Sequence, residues 1–175
     1  MELYGQKQLI EGMRTVRKNT IQIAEDIPEK DYGYRASSAS RSVAETLVHI
    51  AVLSQLGRVL HEEKRVSTID GFDFSELIKR SELQEKKTRS KAEIIELLRA
   101  EGNSWFGWLE TLSNDFLAEE VGQPGGGKKN RFEMILGFKE HEMHHRGQLM
   151  VVERILGIIP HPTRNLQPVR EKVTA

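Results

Sequence analysis

The sequence contains no cysteine. This absence excludes a disulfide framework, a zinc site with thiolate ligands and a cysteine nucleophile. It also fits the reducing environment of the cytosol, and we therefore expect a cytoplasmic protein.

The chain also lacks an excess of charge and a long apolar run. Lys and Arg total 26, as do Asp and Glu, so the formal net charge is zero. The balance argues against general attraction to nucleic acid or anionic membranes, and the short basic clusters at 86–89 and 128–131 are typical of solvated loops. The first residues, MELYGQKQLIEGMR, are too polar for a signal peptide, and no run of 18 apolar residues exists. We expect neither a nucleic-acid partner nor a membrane segment.

Helical periodicity dominates the sequence, and its length favours one domain over residues 1–175. Three capping boxes, in which a cap residue and a Glu three positions later bond each other's backbone N–H, mark helix starts at Ser42, Ser90 and Asn130. The expected long helices cover about residues 4–26, 42–64, 90–112 and 131–156.

The connections between these helices differ in length and composition. Residues 65–89 form a long crossover between the second and third helices, with a short helix expected at about 74–79. The segment QPGGGKKN at 123–130 predicts a flexible turn, no strand is predicted anywhere, and residues 160–175 are expected to be a loosely packed tail. The pattern predicts an all-α protein, a four-helix bundle with a long crossover between helices 2 and 3.

The segment HEMHHRGQL at 141–149 carries the candidate chemistry. On a helix, His141 and His145 lie one turn apart on one side, so they can chelate a single ion. His49 lies in line with Leu53 on the second helix and is also expected to point inward. Three imidazoles would leave open positions on a metal, as catalytic sites do. A lone inward histidine is, however, more often a hydrogen-bonded core residue.

Three further residues are candidates to support such a site without binding the ion. Gln148 lies on the same side of the last helix as the two histidines, and His144 lies at its margin. Glu45 precedes His49 by one turn, although it also serves the capping box. No residue is assigned a catalytic role.

The string HExxH, read as His141, Glu142 and His145, is also a signature of zinc peptidases. The extended peptidase pattern would need Gly and His where this chain has Gln148 and Val151. The helical wheel places Glu142 about 100° from His141, on the side expected to face outward. A peptidase is therefore the weaker hypothesis.

With HEMHHRGQ at 141–148, RILGIIP at 154–160 and LVHI at 47–50, the chain resembles the DinB-like superfamily, which includes YfiT-type metal-dependent hydrolases. The resemblance implies an up-down-down-up four-helix bundle, often dimeric, so we expect a homodimer. It maps the family's metal ligands onto His49, His141 and His145 and implies nickel or zinc. Relatives include transferases and isomerases that use low-molecular-weight thiols.

These observations favour an enzyme that depends on a divalent metal and acts on a small molecule, as a thiol-dependent transferase or a hydrolase. The substrate would then be a small molecule, with a low-molecular-weight thiol as one candidate. The alternative is a non-catalytic metal-binding or damage-response bundle protein. An open coordination position would favour the enzyme, whereas four protein ligands would favour a structural metal.

Overall fold

Four long helices form the body of the protein in the computed structural model, which describes the backbone of residues 4–174 and the side chains of residues 4–169. They are α1 (Gln6–Asp26), α2 (Val43–Arg58), α4 (Lys91–Glu110) and α6 (Arg131–Ile155). The shorter helices are α3 (Ser75–Glu85), α5 (Asn114–Ala118) and α7 (His161–Thr174). One 3₁₀ turn covers Glu29–Asp31, and a π-helical turn, Val59–Glu63, continues α2.

The capping boxes predicted from the sequence start three of the long helices. At α2, the Ser42 hydroxyl accepts from the backbone N–H of Glu45 (3.2 Å), and the Glu45 carboxylate accepts from that of Ser42 (2.8 Å). The same reciprocal pairs cap α4 and α6. Because each box satisfies two N–H groups that lack helical partners, the helix starts are fixed locally.

Side-chain contacts give the direction of α4 and α6 relative to α1. Gln6, at the start of α1, donates to the backbone oxygen of Leu109 at the end of α4 (2.5 Å). The ring of Tyr4, just before α1, packs edge-on against Phe132 at the start of α6. Therefore α4 is antiparallel to α1, and α6 is parallel to it.

α2 is antiparallel to α6. His49, in the first half of α2, lies beside His141 in the middle of α6, whereas His61 in the π-helical turn contacts Arg131, the first residue of α6. The order is therefore up, down, down and up, which confirms the expected four-helix bundle. Because α2 and α4 are neighbours that run in the same direction, a short turn cannot join them and the chain needs its crossover.

α2 is the most buried helix of the bundle. The segment Val43–Glu63 is, among the residues that the structure describes, the one helix long and apolar enough to cross a membrane by composition. Most of it is buried inside the bundle, which is the pattern of a core helix. It packs against α3, α4 and α6.

A charged network lies at the centre of the bundle. Arg17 on α1 donates to both carboxylate oxygens of Glu142 on α6 (2.9 and 3.0 Å). It also donates to the backbone oxygens of Leu98 on α4 (2.7 Å) and Ile50 on α2 (3.4 Å). The Thr20 hydroxyl donates to Glu142 as well (2.8 Å). One guanidinium thus connects all four long helices.

The structure overturns the prediction that no strand is present. β1 (Glu120–Gly122) and β2 (Lys128–Asn130) form an antiparallel hairpin immediately before α6. Gly125 and Gly126 in its loop have φ of 83° and 87°, a conformation that glycine adopts without steric cost. Strands of three residues are too short to show an alternating pattern, so no sequence signal marks them.

The C-terminal segment forms α7, a helix that the sequence did not predict. Pro160 and His161 are buried, and Arg164 forms an ion pair with Asp26 on α1 (2.6 Å), while residues 165–169 are exposed. Glu153, near the end of α6, is fully buried, and neither of its carboxylate oxygens has a hydrogen-bond partner. Burial, together with the Asp26 carboxylate, raises the pKa of Glu153 from 4.5 to about 7.

Replacing Arg17 by Met should lower the free energy of unfolding by about 3–5 kcal/mol, because it leaves the Glu142 carboxylate buried without its counter-ion. The double variant Arg17→Met/Glu142→Leu should recover most of the loss. Arg14→Met is the matched control: its ion pair with Glu110 is exposed, so the loss should be below about 1 kcal/mol. Urea denaturation measures all three, and equal losses for the two single variants would contradict the role of the central pair.

Glu153 should make the protein less stable as the pH rises. Its proton is held more tightly in the folded state, so the free energy of unfolding falls between pH 4.5 and about 7. Between pH 5 and 8 the free energy of unfolding of the wild type should fall by about 2 kcal/mol relative to that of Glu153→Gln, whose side chain cannot titrate. Urea denaturation of both proteins across this range tests it, and parallel pH profiles would show that the carboxyl group is ionised when folded.

Candidate metal centre

The structure brings three histidines together between α2 and α6. His49 comes from α2, and His141 and His145 come from consecutive turns of α6. Each offers one ring nitrogen, and these three atoms all lie within 4.8 Å of one another. The antiparallel course of the two helices thus assembles a cluster of metal-ligand type from residues about 90 positions apart.

The cluster lies at the edge of the buried face of α6. That face contains Ile135, Glu142 and Leu149, whereas His145 is buried beside it and His141 is half-buried. The expectation that Glu142 faces outward is therefore wrong. The error came from treating Glu142 as a solvated charge; Arg17 and Thr20 instead satisfy its carboxylate inside the bundle.

His49 is oriented by a carboxylate from the crossover. Its Nδ1–H donates to Glu85 of α3 (2.7 Å), and Glu85 also accepts from Arg41 (2.7 Å) and Ser81 (3.2 Å). Burial lowers the pKa of His49. Burial alone would raise the pKa of Glu85, but Arg41 and His49 hold it below its usual value. With its proton on Nδ1, His49 presents the lone pair of Nε2 to the cluster.

His145 is oriented in the same way by an amide. Its Nδ1–H donates to the side-chain oxygen of Gln148 (2.8 Å), and the Gln148 amide donates in turn to Nε2 of His144 (3.0 Å). Burial lowers the pKa of His145. His144 and Gln148 are both exposed, so this chain of hydrogen bonds runs from the cluster to the surface.

His141 completes the cluster, with its Nε2 lying 3.4 Å from Nε2 of His49. Burial, reinforced by His145 and His49, lowers the pKa of His141 to about 4, so the ring is neutral at pH 7. His49 and His145 therefore direct unprotonated nitrogens towards a third neutral imidazole. Such a donor set fits a divalent cation, whose charge would attract the converging lone pairs.

The structure places the other sequence candidates at different distances from the cluster. Gln148 touches His145 directly, and His144 is connected through Gln148. Glu45 instead bonds Ser42 and Arg35, and no hydrogen bond joins it to the histidines. Glu85, which was not predicted from the sequence, occupies the supporting position beside His49. No local sequence pattern marks it, since only the return of the crossover brings α3 against α2.

A wide cleft opens beside the cluster. Its volume is about 780 Å³, and His145 and Gln148 lie on its wall. Charged side chains of both signs also line the cleft, with Arg35 paired to Glu45 and Arg41 paired to Glu85. The histidine cluster is therefore accessible to a small polar molecule.

Glu142 is not available as the general base that a zinc peptidase needs. Both of its oxygens accept from Arg17, and its side chain is directed into the bundle, away from the cleft that contains His145 and Gln148. Its carboxylate is thus bound in a structural ion pair. This geometry argues against the peptidase hypothesis on grounds that the sequence did not provide.

The fold and the cluster define a helical bundle with a candidate metal centre. The family model of the DinB superfamily matches residues 13–149, and the chain belongs to that superfamily. No curated protein sequence matches it significantly.

Solved structures share the fold at low sequence identity. YfiT from Bacillus subtilis, described as a probable metal-dependent hydrolase with an unusual four-helix bundle topology, has a TM-score of 0.70 at 16% identity, covering 90% of this chain and 91% of its own. A mycothiol-dependent maleylpyruvate isomerase has a TM-score of 0.66 at 11% identity, covering 83% and 61%. The colibactin self-resistance protein ClbS, solved with double-stranded DNA, has a TM-score of 0.64 at 16% identity, covering 85% and 95%.

Removing the carboxylate of Glu85 should weaken divalent-metal binding, because His49 loses the partner that fixes its proton on Nδ1. We expect Glu85→Leu to lower zinc affinity by about 10- to 100-fold. Glu85→Gln, which keeps an acceptor for that proton, should lose less. Glu82→Gln, on the exposed side of the same helix, is the control and should bind as the wild type does. Competition with a chelator measures the affinities, and equal effects at positions 82 and 85 would rule out the positioning role.

Proposed function

We propose that this protein is a divalent-metal-dependent enzyme that acts on a small molecule, with His49, His141 and His145 as the metal ligands. The observation that carries the proposal is the convergence of three imidazole nitrogens within 4.8 Å. The hydrogen bonds that hold the protons of His49 and His145 on their far nitrogens support it. Imidazole ligands suit zinc and nickel, and these are the ions we propose.

The residues around the cluster favour catalysis over a purely structural metal. Three protein ligands leave room for water or substrate, whereas structural zinc sites are usually closed by four. A bound divalent ion would lower the pKa of a water or of a thiol. Glu85 and Gln148 would keep the ligand rings in place, and the cleft beside His145 would admit the substrate.

For the reaction we propose a thiol-dependent transfer or a hydrolysis, with a low-molecular-weight thiol as a candidate substrate. Two structures with this fold are described as a probable metal-dependent hydrolase and as a mycothiol-dependent isomerase. The cleft beside His145, lined by charged side chains of both signs, would admit a polar substrate. A non-catalytic metal-binding or damage-response protein is the alternative, and a fourth protein ligand on the bound metal would favour it.

We further propose a cytoplasmic homodimer that does not act on nucleic acid. Val151, Ile155 and Ile159 are exposed apolar side chains that a second copy would cover, and the mass of the protein in solution tests this. One structure with this fold is a DNA complex, but the present chain has no net charge to drive such binding. Salt-dependent retention of duplex DNA would contradict the proposal.

Replacing His145 by Ala should abolish stoichiometric binding of zinc or nickel while leaving helix content nearly unchanged, because it removes one of three ligands from the edge of the bundle. His144→Ala is the matched control, since the neighbouring histidine is exposed and lies outside the cluster. Elemental analysis of the metal-loaded proteins and circular dichroism measure the two properties. Unchanged metal content in His145→Ala would refute the proposed centre. An absorption spectrum of the cobalt-substituted protein reports the coordination number and tests for an open position.

A further inference from the structure

A partly open apolar cavity lies between α2 and α3, and His49 is part of its wall. Its volume is about 190 Å³. Most of its wall is aliphatic or aromatic and comes from both helices and from the segment before α3: Val52, Leu53, Leu56, Phe74, Leu77 and Ile78. A cavity with such a lining favours apolar molecules over polar ones, and for comparison of size an enclosed apolar cavity of about 150 Å³ holds benzene.

The cavity ends at the candidate metal centre. His49 is part of its wall, and Arg41 and Glu85 line both this cavity and the cleft that contains His145. The ion pair of Arg41 and Glu85 therefore stands where the two spaces adjoin. A molecule bound at the three histidines would thus adjoin both a polar space and an apolar one.

The charges near the cavity leave its interior suited to an uncharged group. Arg41 and Glu85 neutralise each other, and Gln55 donates to Glu101 (2.9 Å). Arg80 and Glu82 are exposed and lie at the outer rim. A charged group placed among the apolar side chains would lose its hydration without gaining a partner, whereas an alkyl chain or a single ring would gain by leaving water.

We propose that this cavity binds an uncharged apolar group of the substrate, an alkyl chain of about six carbons or a single ring. The polar, reacting end of the same molecule then lies at His49, His141 and His145, so the inference rests on the proposed function. α3 belongs to the crossover and not to the four bundle helices. Leu77 and its neighbours on that helix thus set the size of the group that is accepted.

The first experiment measures ligand binding to the cavity in the absence of metal. Binding of straight-chain alcohols, from butanol to octanol, to the metal-free protein is followed by the NMR shifts of leucine and valine methyl groups. Affinity should rise by about threefold to fourfold for each methylene. The gain should stop near six carbons, when the cavity is full. No dependence on chain length, or a gain that continues to octanol, would overturn the proposal.

Variants of α3 locate the binding. Leu77→Trp fills the cavity and should weaken hexanol binding at least tenfold, whereas Leu83→Trp, at an exposed position of the same helix, should change nothing. Leu77→Ala enlarges the cavity and should move the optimum to longer alcohols, so the proposal stays testable if the Trp variant folds poorly. Equal effects of Trp at positions 77 and 83, or no shift of the optimum with Ala, would contradict it.

The second experiment tests whether one molecule can occupy the cavity and bind the metal at the same time. Straight-chain alkyl hydroxamates, whose head group chelates divalent ions, are titrated into zinc-loaded protein by calorimetry. Their affinity should increase with chain length as that of the alcohols does, and Leu77→Trp should remove the increase. Hydroxamates that bind without any effect of chain length would show that the cavity does not serve the metal centre. If the protein binds no zinc but still binds the alcohols with the expected dependence on chain length, the proposed function is refuted. The apolar binding site in the cavity is then still supported.

Discussion

The buried pair of Arg17 and Glu142 is the interaction on which the arrangement of the bundle depends. Arg17 reaches the carboxylate on α6 and backbone oxygens on α2 and α4, so one side chain relates all four long helices. A buried ion pair adds little net stability but is costly to break. Because Glu142 adjoins His141 in the sequence, the pair also fixes how α6 is rotated, and it places the two histidines of α6 at the edge of the buried face facing α2.

That edge position has consequences for the candidate site. A cluster at the centre of the bundle would be closed, whereas His145 borders a wide cleft and His49 borders an apolar cavity. The crossover, required because α2 and α4 are parallel, supplies Glu85 to orient His49 and forms one wall of the cavity. The crossover that the helix order requires is therefore also the segment that supports His49 and forms part of the cavity beside it.

Much of the fold could be predicted from the sequence because its causes are local. Ser42, Ser90 and Asn130 start their helices through bonds to residues three positions away. The hairpin before α6 and the helix α7 could not be predicted, since a three-residue strand has no periodicity and α7 has little apolar content. The orientation of Glu142 was predicted wrongly because hydrophobic patterns treat every carboxylate as solvated, and its partner lies 125 positions away.

For the candidate site, the sequence by itself determined that His141 and His145 lie one turn apart, because helical geometry follows from spacing alone. It also identified His49 as the third member, on an inward position of a second helix. Only the tertiary structure decided that the three rings meet at 4.8 Å or less, that Glu85 and Gln148 hold two of their protons, and that cleft and cavity adjoin them. These features depend on how α2, α3 and α6 pack, because packing brings together residues that are far apart in the sequence and share no local pattern.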